Sequence, residues 1–297
     1  MRLEIKDIID KHKGMPAAIA AHGPSLNLFK EQIASLHQQE KLIRFSVNNW
    51  WDYFDTPPNY WILSTTVFTL DILMRTWYTD QTKNILEETG VPVFYSDDGD
   101  FTPKELIHQN LKTDWLAYDQ RHWEGKNCIE ILDSFNKHCE EHENYCFNRY
   151  GNNEIMWHPP RCFTNSGHAL DGKCCQQNIP ARSTIQEELQ ALSGFNQHYS
   201  TGDTVSFHAI AFAILMGCNP IYVSGMDLDY NKGYANPDKT DWKHKASGPN
   251  DWSPVRQNLE NDIYVLDESA KKRGIEIISL TPDAWYDGFT KSQSINL

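Results

Sequence analysis

The residues best suited to chemistry stand at the ends of aliphatic runs. His22-Gly23-Pro24-Ser25 follows MPAAIAA, Asn48-Asn49 follows LIRFSV, and Ser64-Thr65 follows NYWIL. Gly225 and Asp227 follow NPIYVS, and Thr204 stands before the apolar run that begins at Val205. Together they make a ring of amides, hydroxyls and carboxylates with almost no lysine or arginine. In the first of them Gly23 would let a ligand approach the backbone. Pro24 and Ser25 are good first-turn residues that would leave N–H groups free for an anion. An ordinary capped turn has the same sequence. Asp227 and Asp229 could hold Mg²⁺ beside a diphosphate, or one carboxylate could cap backbone amides while the other stays solvated. Tyr230 and Tyr234 offer phenol donors that could stabilise a departing phosphate where cations are scarce; packing beside Gly233 is their plainer role.

These positions share a location because of the elements around them. Leu3–His12 carries Ile5, Ile8 and Ile9 at helical spacing and predicts an amphipathic helix. Then MPAAIA, LIRFSVN, NYWILST, VPVFYS, NPIYVSGMDL and IEIISLTP predict strands. Between them SLNLFKEQIASLHQQ, TLDILMRTWYTDQTKNILEETG, TVSFHAIAFAILMG and RQNLENDIYVLDESAKKRG predict helices, with Gly90 and Gly274 as stops. Alternating strands and helices mean an α/β fold, Rossmann-like, with a mainly parallel sheet and helices on both faces. From 101 to 199 the alternation degrades into an aromatic-, Cys- and His-rich segment, read as an insertion or lid subdomain between 1–100 and 200–297, the two halves of the sheet domain. In an open parallel sheet the ligand sits beyond the carboxyl ends of the strands.

The chain has 297 residues with 27 Lys and Arg against 40 Asp and Glu, a net charge of −13. Such a balance argues against a nucleic-acid partner, which calls for surplus cations, but a nucleotide needs only a local pocket of donors. No apolar run approaches the ~20 residues of a transmembrane helix, and the N-terminus lacks a signal-peptide core, so a cytoplasmic protein is expected. Seven cysteines, an odd number, point to reduced thiols. Cys139, His142 and Cys146, with His158, Cys162, Cys174 and Cys175, could approach a zinc site. The absence of a paired Cys-x-x-Cys knuckle favours a metal-free insertion.

Ala20-Ala-His-Gly-Pro-Ser-Leu26 resembles the opening motif of the small bacterial sialyltransferases that use CMP-sialic acid. Gly202-Asp-Thr-Val-Ser206 through Ile221-Tyr-Val-Ser-Gly225-Met-Asp-Leu-Asp-Tyr230 is similar to their second signature. The same stretches resemble the flagellar motility accessory factors and the archaeal 6-hydroxymethylpterin diphosphokinases. The match spans about residues 15–70 and 200–285, and it implies a nucleotide-binding Rossmann-like fold. It further implies that His22, Gly23 and Ser25 lie along the nucleotide, with His22 where the sialyltransferases usually carry Asn. Asn48 would contact donor ribose or phosphate, and Ser64, Thr65 and Thr204 would lie near the donor. Tyr230 and Tyr234 would hold the departing phosphate, with no metal required. The general-base histidine of that family aligns with Gln257, and glutamine takes up no proton at neutral pH. His244, in a loop thirteen residues earlier, is the substitute the sequence offers.

The function expected on this basis is transfer from a nucleotide-activated sugar, a CMP-linked nonulosonic acid, to a glycan or other hydroxyl acceptor. The implied partners are the donor and acceptor, with a homo-oligomer compatible. One alternative is a diphosphokinase-like transfer from ATP to a small heterocycle, with Asp227 and Asp229 holding Mg²⁺. Another is a nucleotide- or glycan-binding module without a base. The tryptophans near Trp50-Trp51, Trp242 and Trp252 suit sugar stacking and suit a core equally.

Overall fold

The computed structural model of the chain describes residues 3, 5–63, 80–96, 113–118, 204–228, 235–236 and 253–297. Among them eight strands form one sheet: β1 (Ala17–Ala20), β2 (Ile43–Val47), β3 (Tyr60–Leu63), β4 (Val93–Ser96), β5 (Trp115–Tyr118), β6 (Ile221–Ser224), β7 (Ile277–Ser279) and β8 (Thr290–Lys291). Their order is β5-β4-β3-β2-β1-β6-β7-β8 and every neighbouring pair is parallel. The described helices are α1 (Leu26–Gln38), α2 (Asp80–Thr89), α3 (Val205–Leu215) and α4 (Ser253–Lys272). The expected α/β architecture is the observed one.

Side-chain alternation divides the core into two faces. Ile43, Phe45 and Val47 of β2 join Ile19, Val223 and the apolar α3, with Ile263 and Leu266 of α4, on one face. On the other, Ala18, Ala20, Trp61, Leu63 and Tyr222 pack against Leu26, Phe29 and Ile33 of α1. Helix α3 is apolar all round and buried along its length, as a central helix must be.

Three expectations are corrected. Leu3–His12 is not a continuous helix: a 3-10 turn at Ile5–Asp7 gives way to turns as far as Gly14. The reason is tertiary. Asp10, His12 and Gly14 donate their N–H groups to the carbonyls of Leu215, Met216 and Gly217, the C-terminal end of α3, instead of to their own turns. Arg273 secures that joint, its guanidinium meeting both the Ile214 carbonyl and Asp10 Oδ1 (2.5 Å). Second, β5 lies inside the segment expected as an insertion and pairs with β4 in register Val93↔Trp115 to Ser96↔Tyr118. The rest of 101–199, with the Cys/His clusters, lies outside the described residues. Third, the chain adds a short β8 after the strand expected to be last.

Two half-buried histidines tie the fold to pH. His12 Nε2 meets the Tyr60 hydroxyl at 2.7 Å, and His37 Nε2 meets the Pro57 carbonyl at 3.0 Å. Burial, reinforced by Lys11 beside His12 and by Arg44 beside His37, holds both imidazoles below 6.5. The unfolded chain then binds more protons from 6.5 downward, so stability is lost as pH falls through that window. Asp267, whose carboxyl is pushed up by burial, runs the other way, but in the carboxylate range. Urea midpoints at pH 7.5, 6.5 and 5.5 should fall in that order, with a shallower fall in His12→Gln. A flat profile would refute this linkage.

Candidate active site at the strand-order reversal

Chain order runs outward from β1 through β2 to β5, then returns to the other side of β1 with β6. The reversal therefore lies between β1 and β6, and the loops leaving their carboxyl ends diverge there to frame a crevice. Helix α3 points its N-terminus at the same edge. Its C-terminal carbonyls meet residues 10–14, which precede β1 at the opposite edge, and its 11 residues cover about 16 Å.

Past their last paired residues β1 and β6 stay joined: Ala21 N–H donates to the Ser224 carbonyl (2.9 Å) and Gly23 N–H to the Gly225 carbonyl (2.7 Å). The approach is too close for side chains. A Cβ on Gly23 would lie 2.2 Å from Asp227 Oδ2, and one on Gly225, whose φ is +76°, would lie 2.4 Å from the Ala21 carbonyl oxygen.

Around this seam a hydroxyl network closes. Asp227 Oδ2 accepts from Ser25 N–H (3.1 Å) and Ser25 Oγ (2.8 Å). Ser25 Oγ in turn accepts from Gly225 N–H (3.2 Å) and lies 3.0 Å from Thr281 Oγ1. A serine hydroxyl has one proton and two lone pairs; with its proton on Asp227, Thr281 must be the donor, and the valences of Ser25 are full. A parallel relay runs from Ser279 Oγ to the Tyr286 hydroxyl (3.1 Å), which donates to the Met226 carbonyl (3.1 Å). Burial pushes the Tyr286 phenol up to about 12, so it remains a donor. Such chains strengthen one another where water is excluded.

The network bears on three expectations. The first turn of α1 is not an open anion cradle. Ser25 N–H is taken by Asp227, and the Leu26, Asn27 and Leu28 N–H groups fold back on the carbonyls of Gly23, Pro24 and Ser25 (3.0–3.2 Å). A carboxylate of the protein itself already sits at this positive helix end. Ser25, 6% exposed, is spent on the seam, and its own side chain makes no cap bond to α1. Asp227, 7% exposed, takes both donors on its Oδ2, the capping arrangement that the sequence also allows.

At α3 the balance differs. Thr204 is extended; its Oγ1 accepts from Ser206 N–H (3.3 Å) and its carbonyl from Phe207 N–H (3.1 Å), and no acidic residue stands in the first turn. The N-terminus of α1 thus faces a carboxylate, and that of α3 faces none among the described residues.

His22, directly after β1, stacks on Tyr53 with ring centroids 4.4 Å apart. Asn48 adopts φ +46°, a conformation asparagine tolerates better than most residues, and donates its N–H to the Ile62 carbonyl. Beyond it a 3-10 turn at Trp50–Asp52 drives Trp50 into the core while Trp51 and Tyr53 stay half-buried. Arg44, buried beneath, lies over the Phe54 ring at 4.2 Å and donates to the Thr56 carbonyl, pinning the far end of this loop. Burial brings its guanidinium down to about 10. Sequence reasoning missed Tyr53, Ser279 and Tyr286 as members of this edge. The aromatic run after Asn48 was the available signal for the first, and nothing local marks the other two.

His22, Gly23, Ser25, Asn48, Thr204, Gly225 and Asp227 thus share one edge of the sheet. Ser64, Thr65, Asp229, Tyr230, Tyr234 and His244 lie outside the described residues. Gln257 lies within α4, but its side chain is likewise outside them. Both described ends of the segment carrying the two tyrosines are tied to the site. The Leu228 carbonyl accepts from Trp285 Nε1 (3.1 Å), while Ala235 N–H donates to the His22 carbonyl (2.8 Å) and its carbonyl accepts from Asn27 Nδ2 (2.8 Å). No described helix is long and apolar enough to cross a membrane.

No family model matches the chain, and no curated protein matches it. Among solved structures it is similar to the sialyltransferase CstII from Campylobacter jejuni in complex with cytidine-5'-monophosphate. That match has 16% identity and a TM-score of 0.41 over 96% of this chain and 88% of the other. It is also similar to an alpha-2,3-sialyltransferase from Campylobacter jejuni in apo form, with 15% identity and a TM-score of 0.41 over 96% and 82% of the two chains.

Proposed function

We propose that the chain is a glycosyltransferase that takes its sugar from a cytidine nucleotide, a CMP-linked nonulosonic acid, and passes it to a hydroxyl acceptor. The observation that carries the reading is the contact between the two motif segments. Ser25 and Asp227, 202 positions apart, bond at 2.8 Å across the crevice of a parallel sheet. That the described motif residues share an edge supports the reading, in which α3 rather than α1 offers the helix end for the phosphate.

In this reading Thr204 and the positive end of α3 face the phosphate, and His22 and Asn48 face the nucleoside. Tyr230 and Tyr234 donate to the leaving phosphate as charge develops on it, which favours the transition state over the ground state. The glycosidic C–O bond to CMP breaks as the acceptor oxygen attacks the anomeric carbon. His244 takes the acceptor proton, and Gln257 orients the acceptor hydroxyl. No metal takes part, and the site works in a cytoplasmic protein.

A nucleotide panel read by melting tests this. CMP in the presence of a chelator should raise Tm by several degrees at a hundredfold excess over Kd, equivalent to about 2.7 kcal/mol. A response to ATP with Mg²⁺ and none to CMP would overturn the reading in favour of phosphoryl transfer.

A further inference from the structure

A fully buried arginine sits between the sheet and the β2–β3 loop, and the proposed chemistry makes no use of it. Arg44, the second residue of β2, pairs in register with Ala18 and so shares the face that carries Trp61, Leu63 and helix α1. Its guanidinium lies 4.2 Å from the Phe54 ring centroid, and Nη2 donates to the Thr56 carbonyl. Nε and Nη1 are shielded from solvent and have no hydrogen-bond partner. Among the described residues no carboxylate offsets the charge. Of the two in the loop, Asp52 takes Asn49 Nδ2 and Asp55 is exposed. Arg273 is the contrast: it is mostly buried too, but its guanidinium meets Asp10 at 2.5 Å. His37 feels the uncompensated cation, since burial first and the Arg44 charge second hold its imidazole down.

Other donors of the same layer are also unmet. Ser46 stands two residues beyond Arg44 on the same face, and its register partner is Trp61. Ser46 Oγ, Trp61 Nε1 and Trp50 Nε1 are each shielded from solvent without a partner. Guanidinium and indole N–H groups can only donate. A buried charge among neutral partners is costly, and so is each buried donor left unmet. Water would satisfy the donors and leave the charge. A small anion answers both.

We propose that this layer holds a monovalent anion of chloride size on Arg44 Nε and Nη1. The Ser46 hydroxyl and the Trp50 and Trp61 indoles are its further donors, and the anion clamps the β2–β3 loop to the sheet. A phosphate would bring more charge than one guanidinium offsets, and more volume than a site closed to solvent admits. Arg44 lies toward the amino end of β2, whereas the crevice lies beyond its carboxyl end. The anion site therefore stands or falls independently of glycosyl transfer.

Melting of the full chain in sodium chloride, sodium bromide and sodium gluconate at one ionic strength tests this, gluconate being too large to enter. Chloride and bromide should raise Tm by about 3 °C or more over gluconate at roughly 150 mM, and the rise should saturate. Effects of salt exclusion from the surface grow with concentration instead. Arg44→Met should melt at one temperature in all three salts. Trp61→Phe, which keeps a ring and loses the N–H, should need severalfold more chloride for the same rise. Lys13→Ala, which removes an exposed cation, should respond as the wild type does. Crystals of the wild-type chain grown in bromide should show an anomalous peak within hydrogen-bond reach of Arg44 Nε or Nη1. If Arg44→Met does not fold, Trp61→Phe and the bromide peak decide. Equal melting in the three salts, an undiminished chloride response in Arg44→Met or Trp61→Phe, or no bromide at Arg44 would each overturn the site and leave its donors to water.

Discussion

Gly225→Ala should cost roughly 3–5 kcal/mol and leave little folded protein at 37 °C. Two effects add at this position. The residue holds φ +76°, which strains any L side chain, and the new Cβ would lie 2.4 Å from the Ala21 carbonyl oxygen and 2.7 Å from its carbon. Both contacts are backbone, so no rotamer change relieves them, and the strand pair β1–β6 would have to part where the crevice begins. Gly274→Ala is the internal comparison: φ is +70°, but nothing lies within 4 Å, so only strain of about 1–2 kcal/mol remains. Urea titrations of the two variants should therefore differ severalfold in lost stability. Equal losses would show that the β1–β6 seam yields to a methyl group.

The second large effect concerns Asp227. Asp227→Ala should lose about 3 kcal/mol, because the buried Ser25 N–H keeps no acceptor and the Ser25 hydroxyl must turn to Thr281 Oγ1. Asp227→Asn retains an amide oxygen for both donors and gives up only the charge at the α1 N-terminus, about 1 kcal/mol. The pair separates two roles. A capping carboxylate predicts that the Asn variant stays folded and binds CMP within about threefold of wild type, since the group works through the seam. A metal ligand predicts an intact fold with nucleotide binding abolished. Melting curves of both variants with and without CMP and Mg²⁺ distinguish these results.

The sheet was legible because buried parallel strands read as short aliphatic runs, and IEIISL and AAIA leave little choice. The carboxyl ends of those runs located His22, Asn48, Gly225 and Asp227 at one edge with no knowledge of strand order. The N-terminal helix failed for a reason that no local pattern contains. Residues 10–14 serve the carbonyls of a helix some 200 positions away. The free amides expected at Pro24-Ser25 failed in the same way, through Asp227, a partner 202 positions off. Ser25 illustrates the limit well: its type and place in a turn were evident, but its three partners, Gly225, Asp227 and Thr281, come from the segments that leave β6 and β7. Strand β5 was hidden because WLAY is too short and too isolated among polar residues to show a period.

The central claim is that a cytidine nucleotide occupies the edge where β1, β2, β6 and α3 meet. Hydrogen exchange read by mass spectrometry, with and without CMP and with metal chelated, tests it most directly. Protection should rise in peptides covering 21–27, 48–54, 204–208 and 225–228, while β8 and the C-terminal half of α4 exchange as before. Protection confined to other peptides, or no change at a CMP concentration that saturates binding, would contradict the account.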